Sequence, residues 1–361
     1  MKIGIYVSPV ENPSLLSHRV RGTGFYIENL KRSLLKYDKG NEYVFFTQHR
    51  DGAGFTRGQN LPKNLDLVHY PYFEPFFLTL PIFSKSKYVV TVHDLIPLVF
   101  PEKFPPGIKG SIKWNIQKLS LKRAERIITD SNSSKNDIAE HIGISEDKIE
   151  VIYLAAGEEF RKLKIKNLKL KIKYGLPDRF LLYIGDVTWN KNLPNLITAV
   201  EDLNAALVMV GKALVSEDFD KNNPWNQDLV KVHKIVKNSK NILLLGFIEN
   251  KDLVDLYNLA TAFVMPSFHE GFGLPILEAM SCGCPVITSR GGSIPEVAGE
   301  AAFYVDPYDI NDIKKGIKEV LSDEKFRKKM SEKGLMQSKK FSWKRATEET
   351  VKVYEKVMGK G

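Results

Sequence analysis

Thr261 to Val286 read TAFVMPSFHEGFGLPILEAMSCGCPV: an apolar run of strand length, a glycine loop bracketed by Glu270 and Glu278, and a second apolar run in PVITS. Pro275 suits the first turn of a helix, where its missing N–H costs nothing, so helix PILEAMSC is expected to start there and to end near Gly283. A helix start presents unpaired N–H groups and the positive end of the macrodipole. Gly271, Phe272, Gly273 and Leu274 can therefore wrap an anion or a polar sugar with backbone donors. Glu278 lies three residues past Pro275, about 4.5 Å along the axis, within reach of ligand hydroxyls at the helix start. Glu270 falls at the carboxyl end of the strand, where open α/β sheets bind ligands.

Outward from this stretch the same alternation holds. FLLYIGD, AALVMVGK, NILLLGF, TAFVMPS, PVITS and AAFYVDP read as strands of the second half, and KIGIYVSP, EYVFFTQ, LDLVHYPY, KYVVTVHD, RIITDS and KIEVIYL as strands of the first. Tyr26 to Tyr37, Ile108 to Arg126 and Ser134 to Ile142 read as helices between the latter. Strand–helix alternation predicts parallel sheets covered on both faces, and 361 residues suit two domains. The fold class is α/β with two Rossmann-like domains and a cleft lined by the carboxyl ends of both sheets. The expected boundaries are residues 1–158 for the first domain, 159–177 for a basic linker, 178–342 for the second domain and 343–361 for a closing amphipathic helix.

EGFGLPILEAMSCGCPV resembles the glutamate, seven residues, glutamate signature of retaining glycosyltransferase family 4, in its mannosyltransferase-like branch. The resemblance implies the GT-B fold, a donor-sugar role for Glu270, a ribose role for Glu278, and a closing helix that returns to the first domain. In TVHDLIPL, His93 and Asp94 follow an apolar strand and so point toward the expected cleft; the resemblance implies that the histidine touches the donor sugar. In YIGDVTWNKNLPNLI the family has arginine before lysine, both reaching the donor diphosphate. Here Asn190 precedes Lys191; Asn190 is expected to line the donor site without supplying charge, so the leaving group must rest on Lys191, on backbone amides and on Lys212, which follows AALVMVG. RGTGFYIENL resembles the family's first loop, with Gly22, Thr23 and Gly24, beside Arg19 and Arg21, as an acceptor or phosphate loop before a helix from Phe25.

Other features carry less chemistry. Cys282 and Cys284 exclude a disulfide framework and read as packing residues. Asp218 and Asp220 form an aspartate, any residue, aspartate triplet, but in a polar loop, so no metal site and no cofactor are expected. Ser131 reads as a helix cap. Tyr70, Tyr72, Phe73, Phe76 and Phe77 read equally as acceptor-stacking or packing residues. The net charge of +10 is concentrated in Arg161 to Lys173, which reads as a solvated face; nucleic acid is not an expected partner, while a modest attraction to anionic membrane stays open.

MKIGIYVSPV reads as a first strand and not a signal peptide, and the expected location is cytoplasmic, with peripheral contact at the inner face of the membrane left open. The expected activity is retaining transfer of a hexose, with mannose the first guess, from a nucleoside-diphosphate sugar to a saccharide or lipid-linked saccharide acceptor in glycan or polysaccharide biosynthesis. A nucleotide-sugar epimerase and a non-catalytic nucleotide-sugar-binding protein are the alternatives.

Overall fold

The computed structural model describes residues 1–11, 20–47 and 62–360. The chain divides into two compact units, Met1–Leu154 with Ser342–Gly361, and Ala155–Phe341. Unit 1 holds β1 (Lys2–Tyr6), β2 (Glu42–Phe46), β3 (Leu67–Tyr70), β4 (Tyr88–Thr91), β5 (Arg126–Thr129) and β6 (Ile149–Val151), in the order β2-β1-β3-β4-β5-β6 with every pair parallel. Unit 2 holds β7 (Leu181–Ile184), β8 (Leu207–Val210), β9 (Ile242–Leu245), β10 (Ala262–Met265), β11 (Val286–Thr288) and β12 (Phe303–Tyr304), in the order β12-β11-β10-β7-β8-β9, again parallel. Each strand lies inside one of the apolar runs read from the sequence. Central strands such as LVHY, LLYI and AFVM are buried along their whole length, the pattern required when helices cover both faces of a sheet.

The order of the second sheet has a consequence for ligands. The chain runs from β7 to β9 in one direction, then returns to lay β10 beside β7 and continues to β12 in the other. The switch point lies between β7 and β10, so the loops leaving those two strands diverge and leave a crevice at their carboxyl ends.

The closing helix, Trp343–Val357, packs within unit 1. Its buried stripe of Trp343, Ala346, Thr350, Val353, Tyr354 and Val357 follows helical spacing, and the Trp343 ring centroid lies 6.1 Å from that of Tyr26. Tyr354 hydroxyl meets His69 Nδ1 at 2.7 Å, and Lys356 pairs with Glu150. Residues 159–177, read from the sequence as a linker, fold as part of unit 2. Leu163 N donates to Asn258 Oδ1 at 2.8 Å, Asn167 Nδ2 to Asp255 Oδ2 at 2.8 Å, and helix Lys169–Tyr174 ties Lys173 and Tyr174 to Asp252. A run of seven bases is compatible with a packed segment because its polar neighbours on helix Asn250–Leu259 supply acceptors.

The first-loop expectation needs correction. The helix starts at Val20, not Phe25, so Gly22, Thr23 and Gly24 lie in its first two turns and not in a loop before it. Two glycines read as breakers, yet the buried positions Tyr26, Ile27, Leu30 and Leu34 hold the helix, and packing outweighs a glycine cost of about 1 kcal/mol each. Arg19 lies outside the described residues.

Candidate functional site

In unit 2 the switch point brings two loops together. After β7, Trp189–Lys191 makes a single 3-10 turn; after β10, Pro266–Gly273 leads into helix Leu274–Ser281. Gly273 ends that loop at φ +90°, a conformation side-chain-bearing residues rarely adopt, and so aims the first amides of the helix into the crevice. Lys191 Nζ stands 2.8 Å from both Glu270 oxygens, although the residues are 79 apart in sequence. Glu270 is buried and Lys191 nearly so, which makes the pair a concentrated, poorly screened charge couple at the crevice.

The supports of this pair were not all visible in the sequence. Asn190 is 4 % exposed, and its Nδ2 donates to His269 O at 3.0 Å while its Oδ1 accepts from Thr188 Oγ1 at 2.7 Å. Its carbonyl accepts from Phe268 N at 2.8 Å. The Asn190 side chain, expected to line the donor site, clamps the Lys191 turn to the Glu270 loop. Asn192, at φ +57°, clamps the other side through Nδ2 to Pro266 O at 3.0 Å and Pro307 O at 2.7 Å. Lys191 is thus held between two buried asparagines.

Behind Glu270, the loop after β11 closes in. Ser293 N and Oγ both donate to Glu270 O at 3.0 Å, and Gly292 sits at φ +64° where a Cβ would come within 2.4 Å of the same oxygen. The only signal in the sequence was the pair Gly291–Gly292 following PVITS. Beneath the crevice, Tyr183 donates its hydroxyl to Asp186 O at 2.7 Å. Burial first, then the Glu270 and Asp186 charges, hold its pKa well above the ordinary phenol value, so it stays neutral.

Glu278 is buried and accepts from Tyr257 hydroxyl at 2.9 Å, which fixes its carboxylate near the start of its helix. Gly271 and Phe272 are buried, and the Phe272 ring meets Phe341 edge-on at 6.1 Å, so Phe272 offers backbone and not its ring. Leu274 opens the helix half-buried. Lys212 starts the turn after β8 in an exposed position; among the described residues it is not a partner of Glu270. Asp220 Oδ1 accepts from Asn222 N at 2.9 Å within its own loop. Cys282 and Cys284 are buried free thiols, the latter pushed up to about 12 by burial.

Unit 1 carries a second charged couple. His93 follows β4 and Asp130 follows β5; Thr91 pairs with Ile128, so two residues further on the same register puts His93 beside Asp130. His93 Nδ1 lies 2.6 Å from Asp130 Oδ2. Burial works to lower the histidine pKa, but the Asp130 charge and hydrogen bond prevail and raise it above the ordinary value. Asp130 was missed in the sequence, although TVHD and IITD both place an ionisable residue just past an apolar strand. Asp94 Oδ1 accepts from Ile96 N at 3.1 Å where the chain enters the turn Ile96–Val99, and Ser131 Oγ accepts from Ser134 N at 3.0 Å as the helix cap expected of it.

The His93 ring is gripped edge-on by Tyr26, with centroids 4.7 Å apart at 82°. Tyr26 hydroxyl meets Thr91 Oγ1 at 3.1 Å, Thr91 meets His69 Nε2 at 2.8 Å, and His69 reaches Tyr354 of the closing helix. Burial lowers the His69 pKa to about 3, so this chain is a neutral strut. Of the aromatic cluster, Tyr70, Tyr72, Phe73 and Phe76 are buried, which favours the packing alternative for them.

Comparison with known proteins bears on what these two clusters do. A family model described as glycosyl transferases group 1 matches residues 164–336, and one described as glycosyltransferase family 4 matches residues 58–156. The chain is 34% identical over 297 residues to the O-antigen chain mannosyltransferase B of Escherichia coli, covering 80% of this chain and 75% of that protein. It is also 34% identical over 265 residues to the serotype-specific mannosyltransferase WbdA of Escherichia coli, covering 71% of this chain but 32% of WbdA, a much longer protein. Among solved structures, sucrose-phosphate synthase from Thermosynechococcus elongatus superposes with a TM-score of 0.76 at 16% identity over 100% of both chains. Anabaena HepE, in complex with UDP and glucose, superposes with a TM-score of 0.73 at 17% identity over 99% of this chain and 100% of that one.

Proposed function

Because the chain belongs to the group 1, family 4 glycosyltransferases and has their GT-B architecture, we propose that it transfers a hexose, mannose first, from a nucleoside-diphosphate sugar to a saccharide or lipid-linked saccharide acceptor with retention at the anomeric carbon. The observation that carries this reading is the Lys191–Glu270 couple at the switch point of the second sheet, beside the amide-rich start of helix Leu274–Ser281. A departing diphosphate is an anion with two phosphates to neutralise. Lys191 and the helix amides supply that stabilisation, while Glu270 opposes the positive charge that grows on the sugar as the bond breaks. Glu278, held by Tyr257, takes the ribose hydroxyls. Attack proceeds from the leaving-group face, with a phosphate oxygen accepting the acceptor's proton. The names of the mannosyltransferase relatives support mannose as the sugar. The cytoplasm, with peripheral membrane contact, is the cellular place this reading assigns; among the described residues no helix is long and apolar enough to cross a membrane.

Label from GDP-mannose and other nucleotide sugars is offered with saccharide acceptors, and the configuration of the product is read by NMR. Retained label in a new glycosidic bond is expected, undiminished by EDTA. Glu270→Gln should cut transfer sharply with little loss of nucleotide affinity, because its charge matters most as positive charge develops. Interconversion of the donor without transfer would mean an epimerase, and binding without turnover a non-catalytic protein.

A further inference from the structure

Helix Gly107–Lys122, GIKGSIKWNIQKLSLK, turns much of its aliphatic surface outward. It is held in unit 1 by Leu121 in the core and by a polar anchor: Gln117 Oε1 accepts from Thr79 N and Leu80 N, each at 2.7 Å, and Gly110 and Ser120 are buried beside it. Three of its aliphatic residues face away instead. Ile108 is 84% exposed, Ile112 57% and Leu119 59%, and at 3.6 residues per turn the three fall within about 40° of one another. Phe83 extends the stripe past the helix end, 82% exposed, with the Arg123 guanidinium 5.8 Å from its ring centroid. Lys109 and Lys113 flank the stripe on one side and Lys118 and Lys122 on the other, and no acidic residue occurs from Gly107 to Ala124.

Unit 2 repeats this chemistry. In the segment from Arg161 to Lys173, which also lacks acidic residues, Ile165, Leu168 and Ile172 are 85%, 62% and 87% exposed, among exposed Lys164, Lys166 and Lys169. Solvated lysine-rich faces have no use for large aliphatic residues turned to water, and a packing face has no use for a rim of exposed lysines. Both are explained by one kind of surface.

We propose that these two stripes are docking surfaces for an anionic lipid bilayer: the aliphatic side chains enter the boundary between headgroups and acyl chains, and the lysines lie along it with their ammonium groups on the lipid phosphates. A second copy of the chain fits worse, because a symmetric contact through either stripe would set lysines against lysines. The proposal deepens the peripheral contact assigned above. It is tested without sugar donor, so its failure and that of the transferase reading are distinguishable.

The test is co-sedimentation of the full chain with vesicles of phosphatidylglycerol and phosphatidylcholine in equal parts, against phosphatidylcholine alone, at low and high salt. Binding to the anionic vesicles is expected, and it should weaken with salt. Ile108→Ser with Ile112→Ser and Leu119→Ser should weaken it about tenfold or more, and Ile165→Ser with Leu168→Ser and Ile172→Ser similarly, since each buried aliphatic group contributes to partitioning. All six residues are exposed, so thermal melting should be unchanged and folding is controlled for. Wild-type protein left in the supernatant would overturn the proposal. So would undiminished binding when both stripes are altered together, or a dimer in sedimentation equilibrium that the same substitutions dissolve.

Discussion

The two charged couples are the same device built twice, and their differences divide the labour. In each unit a basic and an acidic side chain come from neighbouring strand ends of a parallel sheet: Lys191 with Glu270 after β7 and β10, His93 with Asp130 after β4 and β5. Lys191 holds both Glu270 oxygens, so this couple opens when something competes for the ammonium group, as an incoming diphosphate would. His93 is a titratable base whose pKa the Asp130 charge raises, and its couple opens when the ring loses its proton. The supports differ accordingly. Asparagine clamps on backbone carbonyls hold the first couple, which keeps the ammonium group in place without touching it; an aromatic ring and a buried carboxylate hold the second, which sets where its proton sits.

Breaking the first couple should have the largest effect. Lys191→Ala leaves Glu270 buried and uncompensated, and is expected to lower stability by about 3 kcal/mol and to abolish transfer. Adding Glu270→Gln to Lys191→Met should restore most of the stability in urea melts with no recovery of activity. Full activity in Lys191→Ala would show that the couple serves folding alone.

The clamp comes next. Asn190→Ala should cost about 1–3 kcal/mol, because the His269 carbonyl loses its buried partner, and turnover should fall about tenfold as the Lys191 turn loosens. Asn190→Arg, which the family pattern suggests as an improvement, should be no better, since a guanidinium must be forced into a site 4 % exposed. Tighter nucleoside-diphosphate binding by Asn190→Arg in isothermal titration would show that this position reaches the phosphates directly.

Much of this was legible beforehand, and the boundary is instructive. Strands show because a buried parallel strand must be apolar throughout, and Glu270 and Glu278 show because a glycine loop and a proline frame them. The clamp made by Asn190 is not legible, because no sequence pattern records which way a side chain leaves a single 3-10 turn. Asp130 was hidden because its meaning depends on the register of β4 against β5, a tertiary fact. Gly22 and Gly24 read as a loop because local propensity is visible in the sequence and the packing that overrides it is not.

The second couple is sharpened by titration. His93 has a raised pKa, so the stability it contributes is complete below the unfolded histidine value of about 6.5 and is lost as pH rises through the raised native value. Asp130→Asn removes the charge that opposes the burial of His93, and the ring should then titrate below the wild-type value by NMR, with its pH-dependent stability shrinking to match. Unchanged titration would mean that another group holds the proton.

The smallest effect separates the aromatic grip from the hydrogen-bonded strut behind it. Tyr26→Phe keeps the ring edge against His93 but deletes the hydroxyl that meets Thr91 at 3.1 Å. The loss should be about 1 kcal/mol, because Thr91 keeps His69 as a partner at 2.8 Å and is not left unsatisfied. His93 titration and turnover should be those of the wild type if the ring alone positions the imidazole. If the strut from Tyr354 through His69 and Thr91 transmits that position instead, Tyr26→Phe will shift the His93 titration as far as Tyr26→Leu does. In that case the closing helix, through Tyr354, is part of what sets the histidine.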